Sequence, residues 1–331
     1  MADNEFQPDA SVEQTADSGQ RLGLFDAYGV ELEYMIVDSA RLNVMPVADR
    51  LLESACGTLQ SDFENGPITW SNELVLHVIE LKTSRPATDL TVLANQFQHD
   101  VRLINDHLRR LSPAGQLLPS AMHPWMDPFS EMRLWPHDCS PVYEAFDRIF
   151  DCRGHGWANL QSVHLNLPFR GDEEFGRLHA AVRLVLPLLP GIAASSPIRD
   201  GRLNGLMDNR LDVYRSNAAK IPEVAGRVIP EPVYTEDQYR SEILEKLYTA
   251  IAPHDPEGIL QDEFLNARGA IARFDRGSIE IRVTDIQECP AADLGVVQAT
   301  VAVLKALVEE RWSRWDDQAA MPTERLATLL L

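Results

Sequence analysis

A chain of 331 residues with 45% hydrophobic and 24% charged residues has the make-up of a soluble globular protein, which excludes whole-chain disorder and collagen-like repeats. Thirty Lys and Arg against fifty Asp and Glu leave a formal net charge of −20, so the summed field disfavours nucleic acid and anionic membranes as partners. A small anionic substrate would need local cations.

Residues 1–20 carry five acidic and no basic side chains, and they read as a disordered acidic leader over 1–22 ahead of one domain over 23–331. Ordered structure is expected from Leu24. Tyr28 to Val37 reads YGVELEYMIV, a strand with Val30, Leu32, Tyr34 and Ile36 on one face and Glu31 and Glu33 on the other. Ile68 to Lys82, bounded by Asn65-Gly66-Pro67 and Arg85-Pro86, predicts one strand or two with a bulge and carries Glu73 and Glu80. From Thr88 the period changes: Leu93, Phe97, Val101, Ile104, Leu108 and Leu111 share a helical face. Ser112-Pro113-Ala114-Gly115 stops that helix, Gln116 to Met122 offers a short strand, and His123 to Pro141 is a long loop.

Beyond a helix at Pro141 to Phe150, Gln161 to Phe169 alternates again, with Ser162, His164 and Asn166 opposite Val163, Leu165 and Leu167. Helices follow at about Asp172–Pro190, Asp237–Ala252 and Ala291–Trp315. Between the last two lies Ser278 to Asp285, SIEIRVTD, with Glu280 and Arg282 opposite Ile279, Ile281 and Val283. The apolar run Val182 to Ala194 is broken by Pro187, Pro190 and Gly191, so no transmembrane helix is expected. The apolar Leu326 to Leu331 suits packing on the core or on a second copy of the chain. Cys56, Cys139, Cys152 and Cys289 form no C-x-x-C pair, which gives a thiolate metal site no support and suits a reducing cytoplasm.

Three strand-like runs thus each set ligand-type side chains on one face. Any one of them alone is most simply an amphipathic strand with a solvated face. Their recurrence in strongly apolar segments points further: carboxylates gathered on one sheet face need metal cations or strong pairing, and oxygen donors with one imidazole suit Mg²⁺ or Mn²⁺. One feature opposes this. Glu73 and Glu80 are seven residues apart, so a regular strand would send them to opposite faces, and a bulge or chain break is required.

The ordered set Gly29-Val30-Glu31-Leu32-Glu33-Tyr34, Glu73 with Glu80-Leu81-Lys82-Thr83, His164-Leu165-Asn166, Ser195-Ser196-Pro197 with Gly201 and Arg210, and Gly277 to Asp285 resembles the glutamate–cysteine ligase family, nearest its carboxylate–amine ligase branch. The resemblance implies an α+β fold like that of the glutamine synthetase and guanido kinase superfamily. Its curved, mainly antiparallel sheet forms an active-site funnel, with helices packed on the outer side. It further implies ATP, Mg²⁺ or Mn²⁺, and small-molecule carboxylate and amine substrates, with the carboxylate, glutamate by expectation, activated as an acyl phosphate. By the same resemblance Glu31, Glu33, Glu73, Glu80, His164 and Glu280 match metal-site positions, and His164, Asn166 and Arg282 serve the nucleotide. Arg282 is expected to reach phosphoryl oxygens, while Arg210 and Arg268 are candidates for the substrate carboxylate, against surface or structural ion pairs as the plainer reading. The chain departs from the branch where Ser162 and Asn166 replace a glycine and a second histidine, which loosens the inference on substrate. A guanido-kinase-type phosphotransferase and a catalytically silent nucleotide- or metal-binding relative are the alternatives.

Overall fold

The computed structural model describes residues 21–330, and most of the expected acidic leader lies outside the described residues. Ten strands are present: β1 (Gly29–Asp38), β2 (Asp62–Asn65), β3 (Ile68–Asn72), β4 (Val78–Thr83), β5 (Gly115–Leu118), β6 (Ser162–Pro168), β7 (Ile198–Arg199), β8 (Arg202–Leu203), β9 (Ala270–Arg273) and β10 (Ser278–Asp285). Eight of them form an open antiparallel sheet in the order β2-β3-β4-β1-β6-β10-β9, with β5 also paired to β1; β7 and β8 make a separate two-stranded hairpin. Mixed helices on a mainly antiparallel sheet are what the sequence predicts.

Period-2 alternation sorts the side chains. Val30, Leu32, Tyr34 and Ile36 of β1, Val163, Leu165 and Leu167 of β6, and Ile279, Ile281 and Val283 of β10 all enter the larger core. That core is completed by the helices Leu90–Arg109, Gly171–Val185 and Pro290–Val308. The first of these carries the expected stripe, with Leu93, Phe97, Ile104 and Leu108 buried, and starts at Asp89, whose side chain accepts the Thr91 N–H. Its Asp100 accepts a 2.6 Å hydrogen bond from the buried indole of Trp70 on β3, which ties helix to sheet.

The opposite face of the sheet meets a second, smaller core. Met35, Val37, Val75 and Val78 pack there against Val142, Phe146 and Ile149 of the helix Ser140–Phe150 and against Leu247, Ile251 and Leu265. Helices therefore cover part of both faces, whereas the sequence places them on one.

Several local expectations are corrected. Ile68 to Lys82 is two strands, β3 and β4, as one of the two expected readings had it, but a connection over 73–77 that carries Glu73 stands in place of the bulge. The last long helix ends at Val308, and Trp315 begins a separate five-residue helix. Pro187 and Pro190 do not break the chain: Gly171–Val185 continues through a 3₁₀ turn at Leu186–Leu188 into Leu189–Ala193. Gly171–Ala193 is therefore long and apolar enough to cross a membrane, contrary to expectation, and so, independently, is Pro290–Val308, but their buried side chains are spent on the larger core. Leu326, Ala327 and Leu330 likewise pack on that core.

Asp293, in the first turn of Pro290–Val308, is fully buried and accepts the Gln287 N–H at 2.7 Å. Burial pushes its carboxyl up to about 8, with Glu288 adding to the effect. The folded state thus holds a proton there that the unfolded chain releases near pH 4, and stability from this site is lost as pH rises from about 4 to about 8. Asp293→Asn keeps the acceptor without the charge, so its melting temperature relative to wild type is expected to climb between pH 5 and pH 9. A pH-independent difference in calorimetry or thermal melts would refute this.

Candidate active site

Antiparallel register assembles the site. Glu31 on β1 faces Lys82 on β4 and His164 on β6; Glu33 faces Glu80; Asn166 faces Glu280 on β10. Directly paired residues share a sheet face, so four adjacent strands contribute to one surface. There a cavity of about 380 Å³ is lined by Glu31, Glu33, Glu73, Glu80, Glu280 and His164. Glu73 and Glu80 both line it despite their odd spacing, because the turn between β3 and β4 supplies the chain break that the sequence requires.

Within the cavity, donor atoms of Glu31, His164 and Glu280 lie within 4.8 Å of one another, the one such trio among the described residues. His164 Nδ1 donates to Glu31 Oε2 at 2.8 Å and is 3.7 Å from Glu280 Oε1. On the other side of the ring Nε2 donates to Ser162 Oγ at 2.9 Å, and that hydroxyl donates to Glu33 Oε2 at 2.7 Å. Burial alone would lower the imidazole, but Glu33, Glu31 and Glu280 outweigh it and raise His164 to about 9. An imidazolium thus neutralises part of the cluster. Asn166 Nδ2 donates to the free oxygen of Glu31 at 2.9 Å, which fixes the plane of that carboxylate.

Glu280 shows the reverse balance. Its burial favours the neutral acid, yet Arg282, His164 and Arg273 hold it charged, down to about 2. Arg282, expected to reach phosphoryl oxygens, lines the cavity. Its Nε and Nη2 both donate to Glu280 Oε1, at 3.0 and 2.6 Å, so most of the guanidinium fork clamps that carboxylate. Glu80 accepts from Ser71 Oγ at 2.7 Å and lies 3.3 Å from Lys82 Nζ. Burial together with Glu80 and Glu33 pushes the Glu73 carboxyl well above its ordinary range.

A β-bulge lies between Ile281 and Thr284, where the pairing of β10 with β6 shifts. It resets the alternation, so that Asp285 faces Ser162 on the site side although it is three residues from Arg282. Asp285 takes hydrogen bonds from Ser195 N and Ser196 Oγ, both 2.9 Å, and stands 3.5 Å from Arg210 Nη1. Arg210 is 2% exposed and lines the cavity; Nη2 donates to the Arg282 carbonyl at 2.9 Å, while Nε and Nη1 have no hydrogen-bond partner.

Arg268 behaves differently. It binds Glu231 through Nε and Nη2 at 2.6 and 2.7 Å, with Nη1 on the Glu223 carbonyl and Asn266 Oδ1, and is not among the cavity-lining residues. The contact observed for it is the ion pair with Glu231.

Sequence reasoning passes over three cavity cations, Lys82, Arg273 and Arg276. Lys82 was legible by parity, two residues after Glu80, whereas Arg273 belongs to β9, whose four residues are too short for a periodic signal. With Arg210 and Arg282 they give five Lys and Arg side chains to set against five glutamates. The cavity thus escapes the strongly negative field of the whole chain.

An open antiparallel sheet thus gathers five glutamates and His164 on one face. The chain belongs to the glutamate–cysteine ligase family 2, whose profile matches residues 27–330. It is 35% identical over 282 residues to an uncharacterised protein of Archaeoglobus fulgidus, covering 85% of this chain and 75% of that one. A Rubrobacter xylanophilus protein provisionally named glutamate–cysteine ligase 2-3 is 24% identical over 192 residues, 56% of this chain and 47% of that one. In fold the chain is similar to a bifunctional glutathione synthetase from Pasteurella multocida, with a TM-score of 0.60 at 13% identity, over 92% of this chain and 42% of that one. It therefore spans less than half the length of those last two proteins.

Proposed function

We propose that this protein joins a carboxylate, glutamate in the first instance, to an amine at the expense of ATP. The observation that carries the reading is the convergence of Glu31, His164 and Glu280 from three adjacent strands at one cavity. Two carboxylates and an imidazole, once the imidazolium gives up its Nδ1 proton, fit a hard divalent cation, Mg²⁺ or Mn²⁺, with Glu33, Glu73 and Glu80 as further oxygen donors on the same cavity wall. Such an ion supplies charge neutralisation to the transferring phosphoryl group.

The chain's own residues do the rest. Strand-borne carboxylates are fixed by backbone register and by Ser162, Asn166 and Arg282, so little reorganisation accompanies the reaction. Arg210 lines the cavity with Nε and Nη1 not hydrogen-bonded, Nη1 lying 3.5 Å from Asp285, and its guanidinium suits the substrate carboxylate. In the proposed sequence a carboxylate oxygen attacks the γ-phosphorus and ADP leaves. The amine nitrogen then attacks the acyl carbon, the C–O bond to phosphate breaks, and the nitrogen loses its proton to give the amide.

The test is phosphate release from Mg-ATP with glutamate, with and without a panel of amines that includes cysteine, followed by mass spectrometry. Amine-dependent release and a product equal in mass to both substrates less water are expected. A stable phosphorylated product would replace the ligase reading with a phosphotransferase.

A further inference from the structure

We propose that Arg273, at the end of β9, binds an anionic oxygen of the ligand, a phosphate of the nucleotide or the carboxylate of the substrate. The ligand's name rests on the ligase reading; the anion site does not. Register puts Arg273 opposite Ser278 and Ile271 opposite Glu280, so Arg273 shares the sheet face of Glu280 and lines the same cavity. It is 8% exposed, yet its Nε has no hydrogen-bond partner. The nearest carboxylate oxygens, Glu263 Oε2 at 3.6 Å and Asp275 Oδ1 at 3.7 Å, are beyond hydrogen-bond reach.

A buried guanidinium so loosely met is costly unless something else completes it. Glu280 feels its charge, but neither it nor the nearer carboxylates supply a hydrogen bond to Nε. Burial and a hydrogen bond shared with Asp275 push Glu263 up to about 8, which leaves it mostly uncharged near neutral pH. Asp275 is shared, 3.7 Å from Arg273 and 3.7 Å from Arg276. Arg282 is committed to Glu280, and Arg210 is placed by Asp285 and the Arg282 carbonyl. Arg273 therefore presents positive charge at the β9 side of the cavity, beside the carboxylates that would hold a metal-bound polyphosphate.

The test titrates the full chain, wild type and Arg273→Gln, with Mg-ADP, with glutamate and with magnesium pyrophosphate in a calorimeter. Loss of a charge-assisted hydrogen bond predicts a Kd higher by roughly 10- to 100-fold for at least one probe. A shift with Mg-ADP and pyrophosphate names a phosphate; a shift with glutamate alone names the carboxylate. Arg273→Lys should recover part of the loss, and Mn²⁺ affinity should stay within a few-fold. Unchanged affinity for all three probes overturns the proposal, as does a wild-type protein that binds none of them. Equal losses of Mn²⁺ and of all the probes, reproduced by Glu263→Gln with the same drop in melting temperature, would make Arg273 a structural partner of Glu263 and also overturn it. Failure of the ligase assay leaves these titrations intact, so the two readings fall separately.

Discussion

Glu280→Gln is expected to abolish Mn²⁺ binding at the Glu31–His164–Glu280 cluster and to lower ATP turnover by roughly a thousandfold, the scale of a lost electrostatic group in phosphoryl transfer. The substitution is nearly isosteric, so side-chain volume in β10 is kept. It removes one of several carboxylates crowded on the same face, which partly offsets the lost pairing with Arg282. The melting temperature should therefore move by only a few degrees. Electron paramagnetic resonance of bound Mn²⁺ and a thermal melt, run alongside the activity assay, separate the outcomes. Wild-type turnover in a folded variant would remove Glu280 from the metal-binding set.

Arg282→Lys ranks second, with turnover expected to fall by roughly a hundredfold. An ammonium keeps the charge but cannot make the two contacts that Nε and Nη2 make with Glu280 Oε1. Glu280 would then be free to rotate, and the Glu31–His164–Glu280 spacing would loosen. The two roles open to Arg282 leave different kinetic traces. A clamp on Glu280 predicts weakened Mn²⁺ binding along with the lower kcat; direct contact with phosphoryl oxygens predicts intact Mn²⁺ binding with a raised KM for ATP. Wild-type kinetics would mean that neither role matters.

The site was legible where its chemistry follows strand alternation. Glu31 with Glu33, His164 with Asn166, and Glu280 with Arg282 are each two residues apart, so parity predicts their shared face, even though Arg282 lies within the bulge of β10. Parity also exposed the Glu73–Glu80 conflict and named its two solutions, of which the chain break is the one adopted. What escaped depends on partners distant in sequence. Nothing within the Asn266-Ala267-Arg268 run reveals that Glu231, 37 residues earlier, meets its guanidinium. The strands β2 and β9 have only four residues each and exist because longer neighbours offer them pairing. The smaller core was hidden for a related reason: Met35 and Val37 extend the polar face of β1 with apolar residues, so one face serves chemistry at one end and packing at the other.

That division has a dynamic consequence. The cavity is walled on one side by the long, centrally paired strands and on the other by side chains of the smaller core, among them Val142, Phe146 and Leu265. Segments that bury less apolar surface open locally at a lower free energy than the global transition. The strand wall is held by the register of β1, β6 and β10, so local opening of the smaller core would leave the spacing of the carboxylates in place.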